Sequence, residues 1–343
     1  MKGSTIVLDQ WKGREAAALL VDGQLEDLLI DADLPRPGSI YRGVVERPMK
    51  GQGGLFLRTP DGNAFLRQVK GLSPGDRLLV QVTGYAEPGK AIPVTNRLLF
   101  KSRYAIVTPG APGINVSRQI RDDELRDALL EIAHDVAAES PLPEGAGVIL
   151  RSSAHPDLAD EVMDDLLAMS DLARAVLADT EGEAELLVEG DGPHALAWRE
   201  WGGPADVDDA EGAFDRHELG EVIEGLRRPR VALPSGASML IEPTSALVAV
   251  DINTGGDTSP AAGLKANIAA MRDLPRQLRL RGLGGQIVVD PAPMVKKDRR
   301  QVESVLKAAL KAETTETVVA GWTTLGLLEL QRKRDRVAMR EVI

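Results

Sequence analysis

Ser245-Ala246-Leu247-Val248-Ala249-Val250-Asp251-Ile252-Asn253-Thr254 sets five uninterrupted apolar residues against a carboxylate. A Val-rich run of this kind reads as a strand buried on both faces, with Asp251 where the strand leaves the core. Gln286-Ile287-Val288-Val289-Asp290 repeats the design, and Pro291 stops it. Between them, Leu264, Ile268 and Met271 share one face of a helix over about 264–281, which Gly282, Gly284 and Gly285 end. Strand, helix and strand imply a crossover unit whose parallel strands bring both C-terminal ends to one edge. Asp251 and Asp290 can then converge, and Asn253 shares the Asp251 face because strand side chains alternate. Two carboxylates and a carboxamide suit a hard, oxygen-seeking cation such as Mg²⁺. An Asp after a strand is also a common turn or helix-capping residue, so the spacing alone names no substrate.

The composition narrows the classes. With 343 residues the chain has room for two or three compact domains. Hydrophobic residues at 43% and charged residues at 27% fit a soluble globular protein. The absence of Cys excludes disulfides and thiolate-bound zinc, and the four His residues, at 134, 155, 194 and 217, show no metal-ligand spacing. No apolar run approaches a membrane span, and Met1-Lys2-Gly3-Ser4 leads into a short strand and not a signal peptide, so the cytoplasm is the default location. A net charge of −11 argues against polyanion binding over the whole surface but leaves room for a local basic groove.

Taken in order, residues 4–34 alternate apolar and polar, with Asp22-Gly23 as a hairpin signal, and predict a three-stranded antiparallel piece closed by Pro35, Pro37 and Gly38. Short strands at 40–45, 54–57, 64–66, 77–82 and 92–95 predict a small barrel of the OB type. Aromatics are only 3% of the chain, yet Phe56 and Phe65 fall on neighbouring strands, with Lys50, Arg58, Arg67, Lys70, Arg77 and Lys90 nearby. Aromatic platforms among cations are how OB folds hold single-stranded nucleic acid; the alternative is that both rings fill the barrel core. Residues 100–107 form a strand-like stretch and 122–136 an amphipathic helix. Gly147-Val148-Ile149-Leu150-Arg151-Ser152-Ser153 is a buried strand ending in a cation and two hydroxyls. Such an end is a phosphate seat, or else a surface Arg and a Ser cap for the helix over 156–177. Residues 181–189 are acidic, 193–201 read as a strand with Trp198 and Trp201 packing, Gly203-Pro204 marks a linker, and 214–226 a short helix. After Asp290 come Lys296, Lys297, Arg299 and Arg300, a helix to about 311, a strand at 315–320, and a stretch over 323–334 that ends in a basic helix. With Arg276, Arg279 and Arg281 these cations form basic walls beside the acidic pair, fitting a polyanion; the alternative is a solvated basic face.

Several stretches together resemble one family. Ala249-Val250-Asp251-Ile252-Asn253-Thr254, the run from Asn267 through Arg276-Gln277-Leu278-Arg279-Leu280-Arg281 to Asp290, and Leu325-Gly326-Leu327-Leu328-Glu329-Leu330 are similar to the catalytic core of the ribonuclease E/G family. Ile40-Tyr41-Arg42-Gly43 resembles the opening of its S1-type OB domain; Phe56 and Phe65 match its RNA-stacking aromatics and Lys90 a basic residue of its RNA channel. Leu142-Pro143-Glu144-Gly145 followed by Ile149-Leu150-Arg151-Ser152 resembles the five-prime sensor, with Ile106 matching the apolar residue of that pocket. The resemblance implies an α/β chain of composite α+β organisation. A reduced RNase H-like piece at 1–35 and 181–231 would carry an inserted S1-type OB domain at 36–99 and a sensor region at 100–180, before a DNase I-like catalytic domain at 232–343. It further implies that Asp251 and Asp290 bind Mg²⁺, that Asn253 orients Asp290, and that Arg151, Ser152 and Ile106 receive a 5′-monophosphate.

The chain also departs from the family pattern. Pro293 stands where the family usually has a second Asp, the loop after Asn253 is shorter and lacks the usual arginines, and Ser152 replaces Thr. The sequence ends at Ile343, about where the family's zinc-binding Cys-Pro-X-Cys and small dimerisation domain would begin. The expectation is therefore an endoribonuclease that cuts single-stranded RNA with Mg²⁺, leaves 5′-phosphate and 3′-hydroxyl ends, and favours 5′-monophosphorylated RNA in processing or decay. No zinc is expected, and the chain should be a monomer or a zinc-independent dimer. The rivals are a catalytically weak RNA-binding relative and a Mg²⁺-dependent nuclease acting on DNA.

Overall fold

A computed structural model describes residues 3–49, 53–69, 71–203 and 205–342. The chain folds as two compact units, one from residues up to 32 together with those from 205 onward, the other from 33 to 204.

The first unit begins with an antiparallel meander of β1 (Ser4–Trp11), β2 (Arg14–Val21) and β3 (Gln24–Ile30). Lys12-Gly13 and Asp22-Gly23 both take positive φ, at 51° and 78° and at 51° and 79°. These are the mirror-image turns whose twist matches that of the strands.

The second unit opens with β4 (Ile40–Met49), β5 (Gly54–Thr59), β6 (Gly62–Arg67), β7 (Arg77–Val82) and β8 (Ile92–Thr95). They pair in the order β4-β5-β6-β8-β7, and β7 returns to β4, closing a five-stranded barrel of the expected OB-like kind. Tyr41, Leu55, Leu57, Leu66, Val80 and Val94 fill it. Next come β9 (Phe100–Lys101), β10 (Ala105–Thr108), β11 (Gly113–Val116), α1 (Asp123–Glu139), β12 (Gly147–Leu150) and α2 (Ala159–Ala178). The strands form a sheet in the order β11-β12-β10-β9, and both helices bury against its inner face through Leu129, Ala133, Val162 and Leu166. Asp122 caps α1 by accepting from the Leu125 N–H at 3.0 Å. β13 (Glu185–Val188) then pairs antiparallel with β4, and α3 (Pro193–Glu200) ends the unit. Residues 193–201 were expected to form a strand. Pro193 instead occupies the first turn of a helix, where its missing N–H is no loss.

The chain then rejoins the first unit. β14 (Asp206–Asp208) lies parallel to β1, and α4 (Ala213–Arg216) and α5 (Leu219–Gly225) cover the meander with Phe214, Leu219 and Ile223. Residues 181–231, expected as one segment, are thus divided between the units. The expected linker falls at that division, and its Pro204 lies outside the described residues.

The remaining elements are β15 (Arg230–Ala232), β16 (Ser238–Pro243), β17 (Val248–Asn253), α6 (Ala262–Leu280), β18 (Gly285–Asp290), α7 (Arg299–Leu310), β19 (Thr317–Trp322) and β20 (Leu328–Arg332). The strands pair in the order β15-β16-β17-β18-β20-β19; only β17 and β18 run parallel, joined by α6 as the sequence predicts. α6 and α7 pack against this sheet through Met271, Leu274, Leu278, Val302 and Leu306. The basic helix expected at the end of 323–334 is a strand. Leu328, Leu330 and Arg332 are buried and alternate with exposed Glu329 and Gln331, a period of two. Among the described residues, no helix is long and apolar enough to cross a membrane.

Candidate active site

In the parallel pair, Asp251 and Asp290 are register partners. Val248, Val250, Ile252, Ile287 and Val289 point into the core under the helices. Asp251, Asn253 and Asp290 fall on the alternate positions and are exposed. The strands are therefore not buried on both faces. Their outer face holds half-buried Ala249 and Val288 and then opens at the carboxylates, and Asp251 stands within β17 and not at its exit.

The carboxamide of Asn253 donates to Asp251 Oδ2 at 2.7 Å. The resemblance implies that Asn253 orients Asp290; the bond seen here goes to Asp251. The loop after Asp290 is fastened by a residue whose part the sequence did not disclose. Asn267, fully buried on α6, donates to the Ala292 carbonyl at 2.9 Å and accepts from the Ala292 N–H at 2.9 Å. One turn earlier, Gly263 lies so close to the Pro293 carbonyl that a Cβ would collide with it. Pro293, the residue that breaks the family pattern, is therefore a packing partner of α6.

Among the described residues no group of three or more His, Asp or Glu side chains is arranged to hold a metal. A pair of carboxylates with a carboxamide still fits Mg²⁺, which usually keeps several waters and takes one or two carboxylates along with substrate phosphate oxygens.

Four of the expected wall cations, Arg276, Arg279, Arg281 and Arg332, are structural ties. Arg279 bonds the Glu313 and Glu26 carboxylates, and Arg332, 1% exposed, reaches Glu313 at 2.8 Å. Arg276 binds Asp273 and the Leu25 carbonyl, each at 2.7 Å, while Arg281 donates to Gln277. Burial draws the pKa of Arg281 and of Arg332 down to about 10, so both remain charged at neutral pH. Arg332 is paired with the Glu313 carboxylate, whereas Arg281 is held by the neutral Gln277 side chain and by backbone carbonyls. Beyond the Asp290 loop, Lys296, Lys297 and Arg300 are exposed.

On the barrel, Phe56 and Phe65 are cross-strand partners with ring centroids 5.2 Å apart and planes tilted by 50°. They alternate with the buried Leu55, Leu57, Ala64 and Leu66, so they stand outside the barrel core. Gly54 is needed beside them, because a Cβ there would meet the Phe65 ring. The surrounding cations are partly engaged. Lys90 pairs with Glu87 at 2.7 Å, Arg58 lies 3.5 Å from Glu183, and Arg77 donates to the Gly182 carbonyl at 2.6 Å. Arg67 is exposed, and Lys50 and Lys70 lie outside the described residues.

In the sheet formed by β9 to β12, Ile106 is the register partner of Ile149, and both are half-buried on the face away from the helices. Arg151 follows Ile149 by two residues and so faces the same side, with exposed Ser152 beside it. The three expected sensor residues are thereby brought together. The Arg151 guanidinium is already engaged, however. Nη1 donates to the Ser102 carbonyl at 2.6 Å and the Arg199 carbonyl at 3.3 Å, and Nη2 donates to Glu200 Oε2 at 2.5 Å. Burial pushes the Glu200 carboxyl up, but Arg199 and Arg151 outweigh it and hold the group below its ordinary range. Next to this cluster Trp198, expected to pack, is 60% exposed, with the Arg103 guanidinium 3.9 Å from its ring centroid.

Comparison with known proteins covers almost the whole of this architecture. The profile of the Ribonuclease E/G family matches residues 100–199 and 205–335. A ribonuclease E from Nostoc sp. is 27% identical over 94% of this chain and 54% of its own length. A ribonuclease G from Escherichia coli is 26% identical over 95% of this chain and 79% of its own length. A chloroplastic ribonuclease E/G-like protein from Arabidopsis thaliana reaches 39% over 36% of this chain. The chain spans about half the length of the Nostoc ribonuclease E and of a second one from Synechocystis sp., 54% and 56%. With the family profile matching both the sheet formed by β9 to β12 and the sheet that carries the carboxylates, the chain belongs to the ribonuclease E/G family.

Proposed function

We propose that this chain is a Mg²⁺-dependent endoribonuclease that cuts single-stranded RNA, leaves 5′-phosphate and 3′-hydroxyl ends, and favours RNA with a 5′-monophosphate. The observation that carries this reading is the register pairing of Asp251 with Asp290 at the open edge of a parallel strand pair. Mg²⁺ bound there would supply charge neutralisation for the phosphoryl transition state and an activated water. The protein's own share is positional. Asn253 fixes one oxygen of Asp251, and Asn267 fixes the loop that follows Asp290. Phe56 and Phe65 offer ring faces to unpaired bases, and stacking of that kind tolerates any sequence. Lys90 adds charge at the barrel, Ile106 an apolar floor, and Arg151 with Ser152 a set of donors for a terminal phosphate.

Pro293 motivates a second reading, an RNA-binding relative that cleaves weakly, because its position offers no carboxylate beside Asp290. One experiment separates the two: labelled single-stranded RNA and the matching DNA, each with Mg²⁺ and with EDTA. Cleavage of RNA only with Mg²⁺ is expected. Tight binding without cleavage would favour the second reading, and equal cleavage of DNA would overturn the substrate assignment.

A further inference from the structure

Arg151 is the one residue of the proposed 5′-phosphate seat able to grip an anion with a fork of donors, and a side chain of the same unit already occupies it. Glu200, the last residue of α3, places Oε2 2.5 Å from Arg151 Nη2. Its other oxygen, Oε1, accepts from Arg199 Nε at 2.7 Å, and Arg199 is held in turn by Asp191. The cluster is neither sealed nor open, with side-chain exposures of 20% for Arg151 and 29% for Glu200. A carboxylate bridging two guanidinium groups there resembles a phosphate in charge and in acceptor geometry.

We infer that Glu200 sets the protein's response to the RNA 5′ end: its carboxylate holds the Arg151 donors that a terminal phosphate would use, and the phosphate must displace it to bind. This rests on the proposed reading of Arg151 as a phosphate seat. The exchange is physically feasible. A 5′-monophosphate carries about −1.5 to −2 charges at neutral pH and three acceptor oxygens, so it competes well with a carboxylate. A displaced Glu200 keeps its Arg199 partner through Oε1, so no buried charge is left unpaired. The exchange still has a cost, because the displaced carboxylate remains beside the incoming phosphate and repels it. Glu200 should therefore hold the preference for 5′-monophosphorylated RNA below what Arg151 and Ser152 could deliver alone.

The test uses the full chain and two RNAs that differ only in a 5′-monophosphate or a 5′-hydroxyl. Cleavage rates are compared for the parent, Glu200→Gln, Glu200→Ala and Arg151→Ala. Binding is measured by fluorescence anisotropy in an Asp251→Asn background, so the result does not depend on turnover. Thermal melting checks that each variant is folded, and the alanine variant guards against a local fault of the glutamine. The ratio of 5′-phosphate to 5′-hydroxyl signal should rise about two- to fivefold in both Glu200 variants, the scale of one partly exposed ion pair, and fall to one in Arg151→Ala. If the parent discriminates, Arg151→Ala abolishes it and both Glu200 variants match the parent, the gating role is wrong while the phosphate seat stands. If neither the parent nor the Glu200 variants discriminate, the phosphate seat fails and this inference with it.

Discussion

Asp251 and Asp290 are held by main-chain register, whereas Arg151 is held by side-chain partners. The aspartates project from neighbouring strands whose spacing is fixed by the ladder, and their side chains reach open solvent. Arg151 is tied instead to the Ser102 and Arg199 carbonyls and to Glu200, groups 48 and 49 residues away on one side and 49 on the other. A group placed by register can be altered without disturbing what places it. A group placed by side-chain bonds contributes to the structure it depends on. The first kind should lose function while keeping its fold, and the second should lose some of both.

The largest effect is expected at the register-held pair. Asp251→Asn or Asp290→Asn keeps shape and removes a charge from an exposed position. RNA cleavage should fall about a thousandfold or more, as the loss of several kcal/mol of transition-state stabilisation implies. Melting temperature and RNA affinity should stay near those of the parent. Near-parent cleavage by either variant would remove the metal-site assignment, and a large drop in melting temperature would show that the pair is not held by register alone.

Asn267 offers the contrasting case near the same site. Its side chain satisfies both the N–H and the carbonyl of Ala292, which is itself buried. Asn267→Ala leaves those groups unpartnered and should cost about 1–3 kcal/mol of stability. Because the clamp positions the loop leaving Asp290, the Mg²⁺ concentration needed for half-maximal cleavage should rise as well. A denaturant melt with a Mg²⁺ titration of the rate checks both. Lost stability with an unchanged Mg²⁺ requirement would make Asn267 purely structural.

This distinction also accounts for what the sequence disclosed. Val250-Asp251 and Val289-Asp290 flank an amphipathic helix, and a crossover unit has essentially one hand and brings parallel strand ends to one edge. The pairing of the two aspartates was therefore legible from spacing. The sequence likewise put Phe56 and Phe65 on neighbouring strands, although only the structure shows that they share a face and that it is not the core face. Arginine positions carry no such geometry. Arg279 and Arg332 look like groove cations in a charge count, yet they meet Glu313 from separate elements inside the fold. Glu200 was hidden for the same reason, and α3 itself was misread because Pro193 is equally at home at a strand start and in a helical first turn. Leu328 to Arg332 went the other way: a leucine-rich basic stretch suggested a helix, while its two-residue alternation fits the strand that pairs with β18.

The smallest of these effects, at the barrel aromatics, tests whether register-held placement extends beyond the acidic pair. Phe56 and Phe65 are partners across β5 and β6, and the barrel is filled from the opposite face by Leu55, Leu57, Ala64 and Leu66. Truncating either ring removes one cross-strand aromatic contact, worth up to about 1 kcal/mol to the fold. A base stacked on such a ring is worth about 1–3 kcal/mol. Phe56→Ala and Phe65→Ala should therefore weaken single-stranded RNA binding about tenfold while melting only slightly below the parent. The two losses should also fail to add in the double variant, because one tilted pair 5.2 Å apart presents a shared platform. Anisotropy titrations with a short unstructured RNA, alongside thermal melts, measure both quantities. Unchanged affinity with a large stability loss would return the rings to the barrel's structure and leave the barrel's RNA contact to be found elsewhere.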